Sequence, residues 1–171
     1  KIADELVGGK FLGANKADFS DAVVLYTITD APQPQLKEYR FNRTGKYRYY
    51  RFQAPAQYPH ANISHLEWIS DSRYGYTNTE PATSEHILSP DEAESVAYDG
   101  KVKLLDRDRN RMTWASEYDG NMQTAPGAYP CITLTLYEPQ VVTAVRFAPL
   151  NADNGIKSGN TYRLSYWDNG W

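Results

Sequence analysis

Between residues 106 and 117 lies the one spacing in this sequence that matches an ion-binding pattern. Asp106, Asp108, Asn110 and Glu117 stand at positions one, three, five and twelve of a calcium-binding EF-hand loop. Position six, where that loop needs glycine for its sharp turn, is Arg111, and no pair of amphipathic helices flanks the run. The pattern is therefore not an EF-hand. Its carboxylates remain candidate oxygen ligands for another hard cation. The competing reading is a solvated loop in which Arg107, Arg109 and Arg111 neutralise the acids.

Other chemistries find less. His60, His65 and His86 lack the spacing of a zinc site, and His65 reads as a structural imidazole on a strand. No GxSxG, HExxH, P-loop or GxGxxG occurs. Glu92 and Glu94 read as solvent-facing charges on a helix, and no carboxylate pair is marked out for an apolar cleft. The single cysteine, Cys131, allows no intrachain disulfide and reads as a small buried hydrophobe. Asn42-Arg43-Thr44 and Asn62-Ile63-Ser64 match the N-glycosylation triplet only formally, and the triplet alone predicts no modification.

Recognition is better supplied than catalysis. Aromatic residues make up 13% of the chain, and tyrosine contributes 14 of them. A sugar offers an apolar ring face fringed by hydroxyls, so aromatic platforms beside planar Asn, Asp and Arg groups suit it. Trp114, Tyr118, Tyr129, Trp167 and Trp171, with the loop carrying Asn151, Asp153 and Asn154, form such a set. Arg48 and Arg51, interleaved with tyrosines, read either as cation–π partners of a ligand or as stems across a solvated sheet face.

These residues must be held by strands. Ile132, Leu134 and Leu136 alternate with Thr133, Thr135 and Tyr137, the period of a strand with one buried face. Glu138-Pro139-Gln140 breaks it, and Val141, Val142, Val145 and Phe147 begin a second strand. Tyr162, Leu164 and Tyr166 predict a third, with Asp168-Asn169-Gly170 turning the chain between Trp167 and Trp171. Earlier, 22–28 and 46–54 predict strands, the latter with Tyr47 and Tyr49 on one face and Tyr50 and Phe52 on the other. Ile63, His65 and Glu67 alternate with Leu66 and Trp68. Residues 71–88 read as a polar connector, and Ser89-Pro90-Asp91-Glu92 spells a capping box that predicts one short helix over about 90–97.

The chain has 171 residues, enough to bury a core, and a formal net charge of −3, so nothing favours nucleic acid or an anionic membrane. No apolar run has membrane-spanning length, and the opening residues are not expected to be a signal peptide. The first residues resemble the interior of a protein, so an excised piece of a longer chain is expected.

Several stretches resemble the discoidin domain, also called the coagulation factor type C domain, as in family 32 carbohydrate-binding modules. Tyr98-Asp99-Gly100 followed by Thr113-Trp114 resembles an early element of that family. CITLTLYEPQVVTAVRFAP resembles its central strand, turn and strand; GGKFLGANKADFSDAVVLYTI, KYRYYRF and NISHLEW resemble later parts. Together they span about two-thirds of the chain. DNGIKxGxTYxLxYWDNGW is similar to repeats in large secreted Bacteroidetes proteins, including glycosidases and transglutaminase-like enzymes.

The resemblance implies an all-β fold, a galactose-binding-like jelly-roll β-sandwich with one short helix. It also implies a non-catalytic carbohydrate-binding module of a secreted, periplasmic or cell-surface enzyme. Its partners would be a glycan or polysaccharide and the neighbouring domains of the parent chain. Calcium would be structural, with Asp99, Asp106, Asp108 and Thr113 as candidates; Trp114, Tyr118, Tyr129, Asn151, Asp153 and Asn154 would meet the sugar. Two positions depart from the family: Leu150 stands where an arginine is common, and His65 where a glutamate helps to hold calcium.

Element order departs as well. The closing elements occupy 1–70 and the opening ones 71–171, so the chain is either one permuted sandwich over 1–171 or the back half of one module joined to the front half of the next. Half modules would expose unpaired edges, which favours the single sandwich. The rival function is a structural or protein-docking domain that orients a neighbouring catalytic domain, marked by an exposed apolar patch.

Overall fold

A computed structural model describes residues 2–71, 85–88, 92–97 and 129–150, with 159 and 161. Among them the chain is all-β. After a 3-10 turn at Ile2–Leu6 come β1 (Lys10–Ala14), β2 (Val23–Thr27), β3 (Lys37–Arg40), β4 (Lys46–Gln53), β5 (Ile63–Asp71), β6 (Glu85–Ile87), β7 (Ala93–Ala97) and β8 (Cys131–Pro149). Every pairing is antiparallel.

The organising element is β8, a strand of 19 residues. Its first half pairs with β4 on one edge and β7 on the other; its second half pairs with β3 and β5. The hydrogen-bonded path through the sheet runs β2-β1-β4-β8-β5-β6. The sheet curls along this spine until its two ends face each other.

The interior of the curl is aromatic. Phe11 on β1 lies 5.1 Å from Phe52 and 5.6 Å from Phe147, and meets Trp68 edge-on at 5.7 Å. Tyr39 on β3 stacks on Phe147 at 4.7 Å, and Tyr50 lies 5.7 Å from Trp68. These contacts join β1 and β4 to β5 and the far half of β8, which is what closes the core. Leu25, Ile63, Leu66, Leu134, Leu136 and Val145 fill the space between the rings. Burying one such side chain stabilises by about 1.5–3 kcal/mol.

Several expectations need correction. The break expected at Glu138-Pro139-Gln140 does not end the strand. Thr135 faces Tyr49 and Gln140 faces Tyr47, so four residues of β8 stand opposite Arg48 alone. The strand bulges outward there and continues into the other half of the sheet. Side chains satisfy the backbone at this seam: Arg48 Nε donates to the Leu136 carbonyl at 3.0 Å, and the Tyr50 hydroxyl donates to the Gln140 carbonyl at 2.6 Å while accepting from Val142 N–H at 3.1 Å. The same bulge turns Tyr47 to the core side, edge-on to Tyr50 at 5.9 Å, so Tyr47 and Tyr49 do not share a face. A register shift between Ile63 and His65 likewise places Ile63 with Leu66 and Trp68 in the core, away from His65.

The helix expected over 90–97 is absent from 93–97, which form β7. Helix propensity amounts to a few tenths of a kcal/mol per residue. Pairing with Thr133–Leu136 and burial of Ala93, Val96 and Ala97 outweigh it. Nor is 71–88 wholly connector, because Glu85–Ile87 pair with Ile69–Asp71. Finally, Cys131–Leu136 is buried on both faces: Thr133 and Thr135 are as inaccessible as Leu134. Thr133 accepts from Arg51 Nε at 2.9 Å, and Ser95 lies opposite Thr135. The strands expected beyond residue 150 lie outside the described residues.

Candidate ligand-binding rim

One end of the curled sheet carries exposed tyrosines on tethered backbone. The chain leaves β4 at Gln53, rounds the loop Pro55–Ala61 and enters β5 at Ile63. Pro55 and Pro59 keep this segment out of any ladder, since neither has an N–H to give. Tyr58 N–H donates to the Pro55 carbonyl at 3.1 Å and His60 N–H to the Tyr58 carbonyl at 2.7 Å, which tightens the loop into successive turns. Ala54 N–H and Gln53 Nε2 both donate to the Pro130 carbonyl, at 2.9 and 3.0 Å. Ala61 N–H donates to the Tyr129 carbonyl at 2.8 Å. The loop and the residues leading into β8 are thus laced together, with Tyr58 48% and Tyr129 49% exposed beside half-buried His60. Two phenol rings and an imidazole on neighbouring, hydrogen-bonded segments offer apolar faces and polar edges without much entropy to lose on binding.

Tyr129 is the one expected sugar contact that lies among the described residues, and it is exposed. Trp114, Tyr118, Asn151, Asp153 and Asn154 lie outside them, as do the calcium candidates Asp99, Asp106, Asp108 and Thr113. Among the described residues no group of three His, Cys, Asp or Glu side chains is placed to hold a metal. Tyr58 and His60 were visible in the sequence as a proline-bounded loop between two strands, but nothing local separated them from an ordinary surface turn.

The arginines of β4 are engaged within the protein. The Arg51 guanidinium lies 3.7 Å over the Phe19 ring, and burial lowers its pKa. Arg48 pairs with Glu94, whose hydrogen bond raises the arginine's pKa. Glu94 is therefore a partly buried ion-pair partner and not a solvent-facing charge on a helix, and Glu92 accepts from Gln140 Nε2 at 2.9 Å. Both glutamates are thus engaged by side chains of the sheet.

A second polar cluster crosses the outer face of β3, β8 and β5. Arg146 stands in register with Glu38 on one side and Glu67 on the other. Its Nε donates to Glu38 at 3.0 Å, and its terminal nitrogen lies 3.6 Å from Glu67, beyond hydrogen-bond length but within ion-pair reach. Arg40 continues the row at 3.2 Å from Glu38, and His65 Nε2 lies 3.0 Å from Glu67. Arg40, Glu38, Arg146 and Glu67 alternate in sign along the row, so it reads as sheet reinforcement, and His65 sits at its end with Nδ1 buried and without a hydrogen-bond partner. Cys131 is buried, as expected.

The class this geometry defines is an antiparallel all-β domain with an aromatic core and a tyrosine-bearing rim. No family model, curated protein or solved structure matches the chain.

Proposed function

We propose that this chain is a non-catalytic carbohydrate-binding module of a larger secreted, periplasmic or cell-surface enzyme. In this reading the curled sheet is a discoidin-like, galactose-binding-like jelly-roll sandwich, with calcium held by Asp99, Asp106, Asp108 and Thr113. The observation that carries the reading is the pair of half-exposed tyrosines, Tyr58 and Tyr129, on segments joined by the Ala61–Tyr129 hydrogen bond. Rings carried on backbone joined in this way can stack on the apolar face of a sugar while nearby polar edges meet its hydroxyls. Arg48 pairs with Glu94 and Arg146 with Glu38, so these charged side chains are engaged within the sheet, which supports a recognition role for the rim.

The test is a glycan array followed by calorimetry of any hit with Tyr129→Ala and Tyr58→Ala. Loss of one ring platform is expected to weaken binding about 10-fold, equivalent to about 1.4 kcal/mol. An array without hits, or a hit whose affinity survives both substitutions, refutes the assignment of the rim. Calcium is tested separately by its effect on the thermal midpoint, which rises with a ligand bound only by the folded state.

A further inference from the structure

We infer that Asn42 is an acceptor site for N-linked glycan and that the fold excludes Asn62, although the sequence gives both the same triplet. This inference is independent of sugar binding at the rim. Asn42, Arg43 and Thr44 are all exposed in the segment between β3 and β4. Both strands pair with β8, so 41–45 is the short connection between them, anchored at its two ends. At one end Phe41 N–H donates to the Thr143 carbonyl at 2.9 Å and the Phe41 ring packs on the core. At the other, Gly45 sits so close to the Tyr47 ring that a Cβ there would fall 2.6 Å from it. Asn42 N–H itself is held by the Leu25 carbonyl at 3.0 Å. The backbone is pinned and the three side chains of the triplet face outward.

The second triplet has the opposite setting. Asn62 is 9% exposed, and its Nδ2, the atom that would be glycosylated, donates to Glu5 at 3.0 Å. Ser64 is fully buried, with its hydroxyl on the carbonyls of Ala148 and Pro149. A transferase must bind the hydroxyl of the third residue and reach the amide of the first, and β5 withholds both.

The reaction requires a lipid-pyrophosphate-linked oligosaccharide as donor. The Asn42 amide nitrogen attacks the anomeric carbon of the first sugar and a C–N bond forms. The bond from that carbon to pyrophosphate oxygen breaks, the lipid pyrophosphate leaves with the electron pair, and the amide proton passes to a base of the transferase.

The experiment incubates the folded chain with an oligosaccharyltransferase and a lipid-linked oligosaccharide, and maps the product by mass spectrometry. Peptides spanning 38–48 and 58–68 serve as unfolded counterparts. One glycan at Asn42 is expected in the chain, with both peptides modified. Thr44→Ala, an exposed change, is expected to abolish the chain's modification, and Ser64→Ala to leave it in place. Absence of glycan at Asn42 overturns the inference. So does modification of Asn62 in the folded chain, or failure of the 58–68 peptide, which would move the selectivity from the fold to the local sequence.

Discussion

Replacing Tyr50 with phenylalanine removes one oxygen atom from the seam where β8 passes between the two halves of the sheet. The residue is fully buried, and its ring contacts with Trp68 and Tyr47 do not depend on the hydroxyl. What is lost is the donation to the Gln140 carbonyl at 2.6 Å and the acceptance from Val142 N–H at 3.1 Å. A second acceptor, the Gly45 carbonyl at 3.3 Å, shares the same proton and adds little. Each hydrogen bond contributes about 1 kcal/mol net, and a buried group stripped of its partner costs about 1–3 kcal/mol, so a loss of about 2–3 kcal/mol follows. For a chain of this size 1 kcal/mol shifts the thermal midpoint by about 2–4 °C, which gives a fall of about 4–12 °C.

Denaturant titration should show the midpoint moving with an unchanged slope, because no surface is newly exposed in the native state. The phenol also makes the effect pH-dependent. Burial raises its pKa well above the ordinary value of 10.0, so the folded state favours the protonated form. That contribution is complete below pH 10 and declines as pH rises past the unfolded value toward the folded one. Tyr50→Phe should therefore flatten the alkaline limb of the stability profile. A residual slope remains from Tyr26 and Tyr39, whose pKa values are also raised by burial. A midpoint unchanged at pH 7, with the alkaline limb intact, would refute the assignment of the hydroxyl as the seam's backbone partner.

Two further perturbations test other parts of the sheet. Phe19 has φ of 58°, a left-handed conformation that costs a bulky side chain about 1–2 kcal/mol, while its ring lies under Arg51 and edge-on to Tyr49. Phe19→Ala and Phe19→Gly both lose the ring contacts, but only glycine relieves the backbone, so glycine should be the more stable of the two in urea unfolding; the reverse order would contradict the φ. Arg146→Ala leaves Glu38 and Glu67 facing one another across β8, and should lower stability by about 1 kcal/mol at low salt. That loss should shrink at 1 M salt, where the screening length is about 3 Å; equal losses at both salt concentrations would assign Arg146 to packing.

Much of the β character was legible from residue order alone. The runs 22–28, 46–54, 132–137 and 141–147 announced strands through branched and aromatic residues, and alternation put Tyr50 with Phe52 and Leu66 with Trp68, though the structure decided that these faces point inward. Alternation fails where a strand bulges. Tyr47 and Ile63 each lie one register step from the face that a strict period of two assigns them, because the partner strand determines where a residue is skipped. For the rim, the aromatic content and Tyr129 were visible, but its coupling to the Tyr58 loop rests on a hydrogen bond between residues 61 and 129.

The sequence by itself determined the β character, the alternating faces of its strands and the lack of any recognisable nucleophile or zinc motif, because side-chain chemistry and short-range periodicity are properties of neighbours along the chain. Tertiary structure decided that Ala93–Ala97 pairs as a strand despite a helix cap before it, that Glu138-Pro139-Gln140 is a seam and not an end, and that Asn42 is open while Asn62 is shut. Those outcomes depend on which backbone groups find partners across long loops, and a strand edge offering several hydrogen bonds and a buried face outweighs local preferences of a few tenths of a kcal/mol per residue.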